Sequence, residues 1–172
     1  MKRLVIVLIL FAKIGISQDT LAFELLNKYR AYHNKSALVM NTSFAEYAID
    51  HCEDMASKNK IWHPDNRPSD KECVASNKGE MWLMPNKYVD YIKFIQEVFN
   101  VDIDNITYEE LAITKQLYQY HNSPSHKKIL LAEDNVNGYF HINIDKLEKK
   151  YDPFAKLTYY DIVVNSCVNI NR

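Results

Sequence analysis

The stretch Tyr120-His121-Asn122-Ser123-Pro124-Ser125-His126-Lys127-Lys128-Ile129-Leu130 combines a helix-start signal with two histidines. A serine followed by a proline is typical of an N-cap residue and the first helical position, because proline has no amide hydrogen to leave unsatisfied there. We therefore expect a short helix from Pro124 through Leu131. The residues up to about Tyr120 complete the helix that precedes it.

Four segments before this short helix carry apolar residues at the 3.6-residue spacing of a buried helix face. They begin near residues 19, 43, 86 and 107. The first runs to residue 33, the second to about residue 60 and the fourth to about residue 120. The expected caps of these helices are Asp19 or Thr20, Ser43 with Glu46 in a capping box, Asn86, and Thr107 with Glu110 in a second capping box. Residues 61–85 have no periodicity, and we expect a long ordered loop there.

After residue 135 the period of the apolar residues changes to two, which indicates a half-buried strand at residues 139–144. Residues 157–164 are the predicted antiparallel partner, and residues 168–170 could extend it. The charged segment Asp145–Lys156 is predicted to be a mobile connection. Helices first and strands last, without alternation, indicate an α+β fold.

Composition limits the classes of function. A chain of 172 residues fits one domain, and 47% hydrophobic with 25% charged residues is typical of a globular protein. The formal charge of −1 argues against nucleic acid as the chief partner, since that would require a concentrated basic face. The 3 glycines form no phosphate-binding loop.

The N-terminus has the features of a secretory signal peptide, predicted at residues 1–17. Lys2 and Arg3 precede a short apolar run, and Gly15 and Ser17 supply the small residues before a cleavage site. The apolar run is too short to cross a bilayer. We expect residues 18–172 to be a secreted or periplasmic domain without a transmembrane anchor. Losing three cations from a formal charge of −1 leaves the mature domain at −4.

The three cysteines, Cys52, Cys73 and Cys167, allow at most one internal disulfide in an oxidising compartment. All three pairings are open, and we favour Cys52–Cys73 because it would brace the loop between them. No nucleophile signature surrounds any of these cysteines.

Three local patterns occur in order along the chain: Trp62-His63-Pro64, Gly79-Glu80-Met81-Trp82, and the stretch from Tyr120 to Leu130. With the helix order, they resemble the CAP superfamily, the domain of cysteine-rich secretory proteins, antigen 5 and pathogenesis-related 1 proteins. The resemblance covers residues 19–170. The stretch around Ser123 and His126 is similar to the bacterial-type box of that family. Further matches are Leu26-Asn27, Arg30, Ala45, Ala48 and Met55-Ala56.

The sequence departs from the family pattern at several positions. Tyr120 replaces the usual tryptophan, Met81 replaces an asparagine, and Ser123 occupies the place of a second cavity glutamate. Residues 83–113 are longer than in the short family version, which indicates a lengthened or inserted helix. The family's full two-histidine, two-glutamate cavity is therefore not supported.

The resemblance implies an α-β-α sandwich with a cavity containing His63, Glu80, Ser123 and His126. The set of His63, Glu80 and His126 suits zinc or another divalent metal. Structural polar roles, metal binding and catalysis all stay open for these residues. The favoured function is a non-enzymatic extracellular module that binds an unknown ligand or protein. The alternatives are a metal-dependent hydrolase, a protease or esterase, using the same cavity, and a carrier of apolar lipid or sterol in a groove beside the lengthened helix.

The other histidines are predicted to have surface positions. His33, His51 and His121 are expected on exposed helix faces, with His121 near the rim of the cavity, and His141 is expected to point outward from its strand.

Overall fold

The helices of this chain lie mainly in its first 130 residues, and two long strands follow them. The computed structural model of the chain describes residues 18–58, 60, 72–77, 85–133, 137–152 and 157–171. Helix α1 includes residues 18–32. The remaining elements are β1 (Val39–Met40), a 3-10 turn (Thr42–Phe44), α2 (Ala45–Lys58), β2 (Glu72–Asn77), α3 (Pro85–Phe99), α4 (Tyr108–His121), α5 (Pro124–Leu130), β3 (Asn137–Asp152) and β4 (Leu157–Asn171).

The described strands form one sheet with the order β1-β3-β4-β2. Strands β3 and β4 pair antiparallel from Asn137↔Asn171 to Asp152↔Leu157, with an irregularity between Ile144 and Lys146. Strand β2 adds antiparallel to β4 over its whole length, and β1 pairs parallel with the start of β3. Strand β2 is therefore an edge of the described sheet.

Helices cover both faces of this sheet. Alternate residues of β3 point to opposite faces, and Phe140 and Ile142 belong to a large cluster with the buried faces of α1, α3 and α4. Tyr139 and Cys167 belong to a second cluster with residues of α2. Fully burying one such aliphatic or aromatic side chain contributes about 1.5–3 kcal/mol relative to leaving it exposed. The fold is thus an α+β domain with an α-β-α layer order, as predicted.

Helix α1 is joined to the rest of the domain by two polar side chains that the sequence matching singled out. The Asn27 amide donates to the carbonyl of Leu38 at 3.1 Å, and its oxygen accepts the Leu38 amide hydrogen at 2.8 Å. Arg30 is fully buried and donates to three carbonyls, those of Ser36, Leu130 and Ala132. Two of these carbonyls lie at and just beyond the end of α5, so Arg30 connects α1 to α5.

Two of the predicted helix starts are confirmed. Thr107 and Glu110 form the capping box of α4, with bonds in both directions. Ser123 is the N-cap of α5 and Pro124 its first residue, although the Ser123 side chain makes no capping hydrogen bond.

The other predicted helix starts need correction. Asn41, rather than Ser43, caps the helical region before α2, because its side chain accepts the amide hydrogen of Ser43 ahead of a 3-10 turn. Helix α3 begins at Pro85, one residue before the expected cap Asn86. Asp19 lies inside α1, where its carboxylate bonds to β3 instead of capping the helix.

Two segments predicted to lack regular structure are strands. Residues 145–152 of the expected mobile connection continue β3, and the pairing with β4 extends to Asp152↔Leu157. Residues 72–77 of the expected loop form β2. Residues 145–152 are largely charged and residues 72–77 lack periodicity, so neither segment has the sequence pattern that predicts a strand. Both can still form strands, because main-chain pairing does not require an apolar pattern.

Cys52 and Cys167 are both buried, and no disulfide joins these two residues. The side chain of Cys73 lies outside the described residues, so the favoured Cys52–Cys73 pair is not seen. Among the helices that the structure describes, none is long and apolar enough to span a bilayer.

Candidate functional site

The start of α5 carries two of the four predicted site residues, Ser123 and His126. Ser123 has extended backbone angles at the N-cap position, and its hydroxyl lies 3.4 Å from the hydroxyl of Ser125. His126 follows in the first turn of the helix and is half-buried. The proline at the first helical position fixes where this turn begins.

The imidazole of His126 packs against Tyr120, the residue that stands where the family pattern has tryptophan. The two rings are 5.4 Å apart at 74°, an edge-to-face arrangement. Tyr120 is buried, and its hydroxyl is 2.7 Å from the hydroxyl of Ser166 on β4. Ser166 donates in turn to the side-chain oxygen of Gln116 at 3.3 Å. Because serine has one proton to donate, Tyr120 is the donor to Ser166.

This chain of three polar side chains lies in the interior of the domain. Gln116 and Ser166 have no exposed surface. The amide nitrogen of Gln116 has no hydrogen-bond partner among the described residues. The network fixes the far end of the Tyr120 ring, and the ring in turn limits how the His126 imidazole can tilt.

The other two predicted site residues, His63 and Glu80, lie outside the described residues. Within the described part of the chain, no group of three or more His, Cys, Asp or Glu residues could hold a metal ion. The structure therefore places Ser123 and His126 at the start of α5, and the complete set of His63, Glu80 and His126 stays a prediction.

A buried polar cluster that the sequence did not predict lies where α1 meets β3. Asp19 is buried, and its carboxylate accepts the Tyr139 hydroxyl at 2.7 Å and the Ile142 amide hydrogen at 3.3 Å. The Nδ1 atom of His141 lies 3.1 Å from both oxygens of the same carboxylate. Burial, followed by the bond to Asp19, raises the pKa of Tyr139 far above its ordinary value. The prediction that His141 points outward is wrong, because the contact with Asp19 covers much of the ring.

The remaining histidine predictions are also wrong. His51 is buried on α2, and its ring stacks on that of Tyr47 at 5.9 Å. His33 and His121 are half-buried and contact each other rather than solvent alone. Each lies at a helix end, where helical spacing does not reveal which side a residue faces. The sequence contains no signal for the contact between His33 and His121, because these two residues are 88 positions apart in the chain.

Comparison with known proteins gives one match. A family model described as CAP, the cysteine-rich secretory protein family, matches residues 23–137. The matched range begins in α1 and ends at the first residue of β3, so it includes all four predicted site residues. No curated protein and no solved structure matches the chain.

Proposed function

Because the chain belongs to the CAP family, we propose that it is a secreted, non-enzymatic protein that binds an extracellular ligand or partner at a cavity formed by His63, Glu80 and His126. Ser123 lies beside His126 and belongs to the same proposed surface. Two imidazoles and one carboxylate are a donor set that fits zinc or a similar divalent ion, with water in the remaining position.

The observation that supports this proposal is that helices α2 and α5 both contact strand β2. Helix α2 ends at Lys58, five residues before His63, and β2 ends at Asn77, three residues before Glu80. Both α2 and α5 contact β2. Five residues reach at most about 18 Å and three at most about 11 Å. Chain connectivity therefore allows His63 and Glu80 to reach the end of α5 that carries His126.

The setting of His126 also supports a role as a ligand. Its ring packs on Tyr120, whose hydroxyl is held by Ser166 in the interior. Contacts that hold an imidazole in one orientation favour its use as a metal ligand. A histidine on a fully solvated helix face would have no comparable restraint.

Zinc titration by calorimetry on the purified secreted protein tests the cavity. We expect saturable heat for the unchanged protein and none for the double variant His63→Ala/His126→Ala, because both imidazoles are lost. Lys128→Ala, an exposed change on the same helix, is the matched control and should titrate like the unchanged protein. Circular dichroism confirms that each variant is folded. Identical heats for the unchanged and double-variant proteins would contradict the metal site.

Two further assays separate the proposed binder from the alternatives. A panel of peptide and ester substrates with and without a chelator detects a metal-dependent hydrolase, and we expect no chelator-sensitive turnover. Solvent extraction of the secreted protein, followed by mass spectrometry, detects a lipid carrier, and we expect no apolar compound to co-purify. A positive result in either assay overturns the corresponding part of the proposal.

A further inference from the structure

Two histidines from different helices stack where α1, α4 and α5 meet. His33 directly follows α1, and His121 is the last residue of α4. Their ring centroids are 5.7 Å apart and the ring planes differ by 22°. Both side chains are half-buried, so the pair forms part of the contact between α1 and the turn that leads into α5.

Aromatic side chains surround the two imidazoles. The Tyr29 hydroxyl is hydrogen-bonded to Nδ1 of His121 at 3.2 Å, and the Tyr29 ring meets His33 edge to face at 4.8 Å. Phe94 of α3 lies 5.1 Å from His121, and Tyr32 lies 5.1 Å from His33. The Nε2 atom of His33 is buried and has no hydrogen-bond partner among the described residues. Burial removes part of each ring from water, which disfavours a positive charge on either imidazole.

The charged side chains that act on the pair are cationic. Lys127 of α5 acts on both imidazoles, and Lys35 acts on His33. Glu133 forms an ion pair with Lys35. The carboxyl ends of α1 and α4 favour protonated histidine, which opposes the effects of burial and of the two lysines. Burial first, and Lys127 second, lower the pKa of both His33 and His121; Lys35 lowers that of His33 further, and His33 that of His121.

We propose that His33 and His121 form an acid-sensitive latch, which holds the N-terminal turn of α5 against α1 and α4 while both rings are neutral and releases it when either ring is protonated. A proton on either ring places a cation in an apolar contact beside Lys127, so the repulsion acts on α5. Arg30 holds the other end of α5 through Leu130 and Ala132. The turn that moves is therefore the one that carries Ser123 and His126.

The direction of the pH dependence follows from the lowered pKa values. An unfolded or released imidazole has a pKa near 6.5, so the closed state binds fewer protons than the open one. The latch is fully closed above about pH 7 and is progressively lost as the pH falls below about 6.5 towards the lowered native pKa. Each imidazole changes the opening equilibrium by up to about tenfold per pH unit in this range.

Hydrogen exchange of the α5 amides in the full chain, corrected for the intrinsic effect of pH, measures the opening. Between pH 7.5 and 5.5 we expect the opening constant to rise at least about tenfold. The double variant His33→Gln/His121→Asn should lose this pH dependence, since neither replacement titrates. Lys127→Gln removes the common cationic neighbour and should raise both imidazole pKa values in an NMR titration. Lys128→Gln, an exposed change one residue away, should leave them unchanged.

Each outcome decides the proposal. Imidazole pKa values of 6.5 or above for His33 and His121 overturn it, as does α5 exchange that shows no pH dependence after correction. Equal effects of Lys127→Gln and Lys128→Gln also contradict it. If the double histidine variant fails to fold, the two lysine variants and the NMR titration still decide. The test does not involve His63 or Glu80, so failure of the zinc site leaves it unaffected.

Discussion

Arg30 shows how a single charged residue can be essential to the packing of this domain. It has no exposed surface, and its guanidinium donates to the carbonyls of Ser36, Leu130 and Ala132. Burial lowers its pKa, but the ordinary value of arginine is so high that the group stays charged. The three carbonyl bonds compensate for removing this charge from water.

Replacing Arg30 tests that role. Arg30→Met keeps a similar length but leaves three carbonyls without their donor, and we expect a loss of about 3 kcal/mol in the free energy of unfolding. Urea unfolding followed by circular dichroism measures the change. Lys28→Met on an exposed position of α1 is the control and should change stability by less than about 0.5 kcal/mol. Equal effects of the two substitutions would show that the carbonyl bonds of Arg30 contribute little.

At the scale of the secondary-structure element, local signals in the sequence account for much of the helix start of α4. The Thr107 side chain accepts the Glu110 amide hydrogen at 3.2 Å, and the Glu110 carboxylate accepts the Thr107 amide hydrogen at 2.9 Å. Both residues lie within four positions, so the pattern can be read without knowledge of the fold.

Thr107→Ala removes the side-chain acceptor of this capping box and should destabilise the domain by about 1 kcal/mol. Thr107→Ser retains a hydroxyl and should recover most of the loss. Thermal unfolding of the three proteins provides the comparison. A Thr107→Ser variant as unstable as Thr107→Ala would mean that packing of the threonine methyl group, rather than the cap, matters.

Strands were harder to predict than helices in this chain. The alternation over residues 139–144 predicts the first half of β3 correctly, because one face there packs on the large core cluster. The same strand continues through charged residues to Asp152, and β2 forms in a segment without periodicity. Their pairing partners, Leu157 for Asp152 and Asn165 for Asn77, are specified by the sheet register.

At the scale of the whole molecule, the described sheet lies between α2 on one face and α1, α3, α4 and α5 on the other. Asp19 connects the first turn of α1 to β3 through bonds to Tyr139, His141 and Ile142. The residues it joins are at least 120 positions apart in the chain. This contact fixes how the helical layer sits on the sheet.

Asp19→Asn tests the connection between the two layers. The variant keeps the shape of the side chain but removes its charge. It also replaces one carboxylate oxygen, an acceptor, by an NH2 group, which would face the donors that now bond to Asp19. We expect the free energy of unfolding to fall by about 2 kcal/mol in urea at neutral pH. Glu24→Gln, an exposed change on α1, should be close to neutral. Unchanged stability of Asp19→Asn would mean that water replaces these bonds without cost.

The sequence by itself determined which segments form helices α1 to α5, the capping box at Thr107 and the start of α5. It also determined the family. Each of these depends on residues that lie close together in the chain. The tertiary structure decided the burial of His51, the stacking of His33 on His121, and the pairing of His141 with Asp19. Spacing along one helix or strand reports the face that this element buries. It carries no information about which side chain from a distant segment packs against that face, since this depends on how the layers assemble.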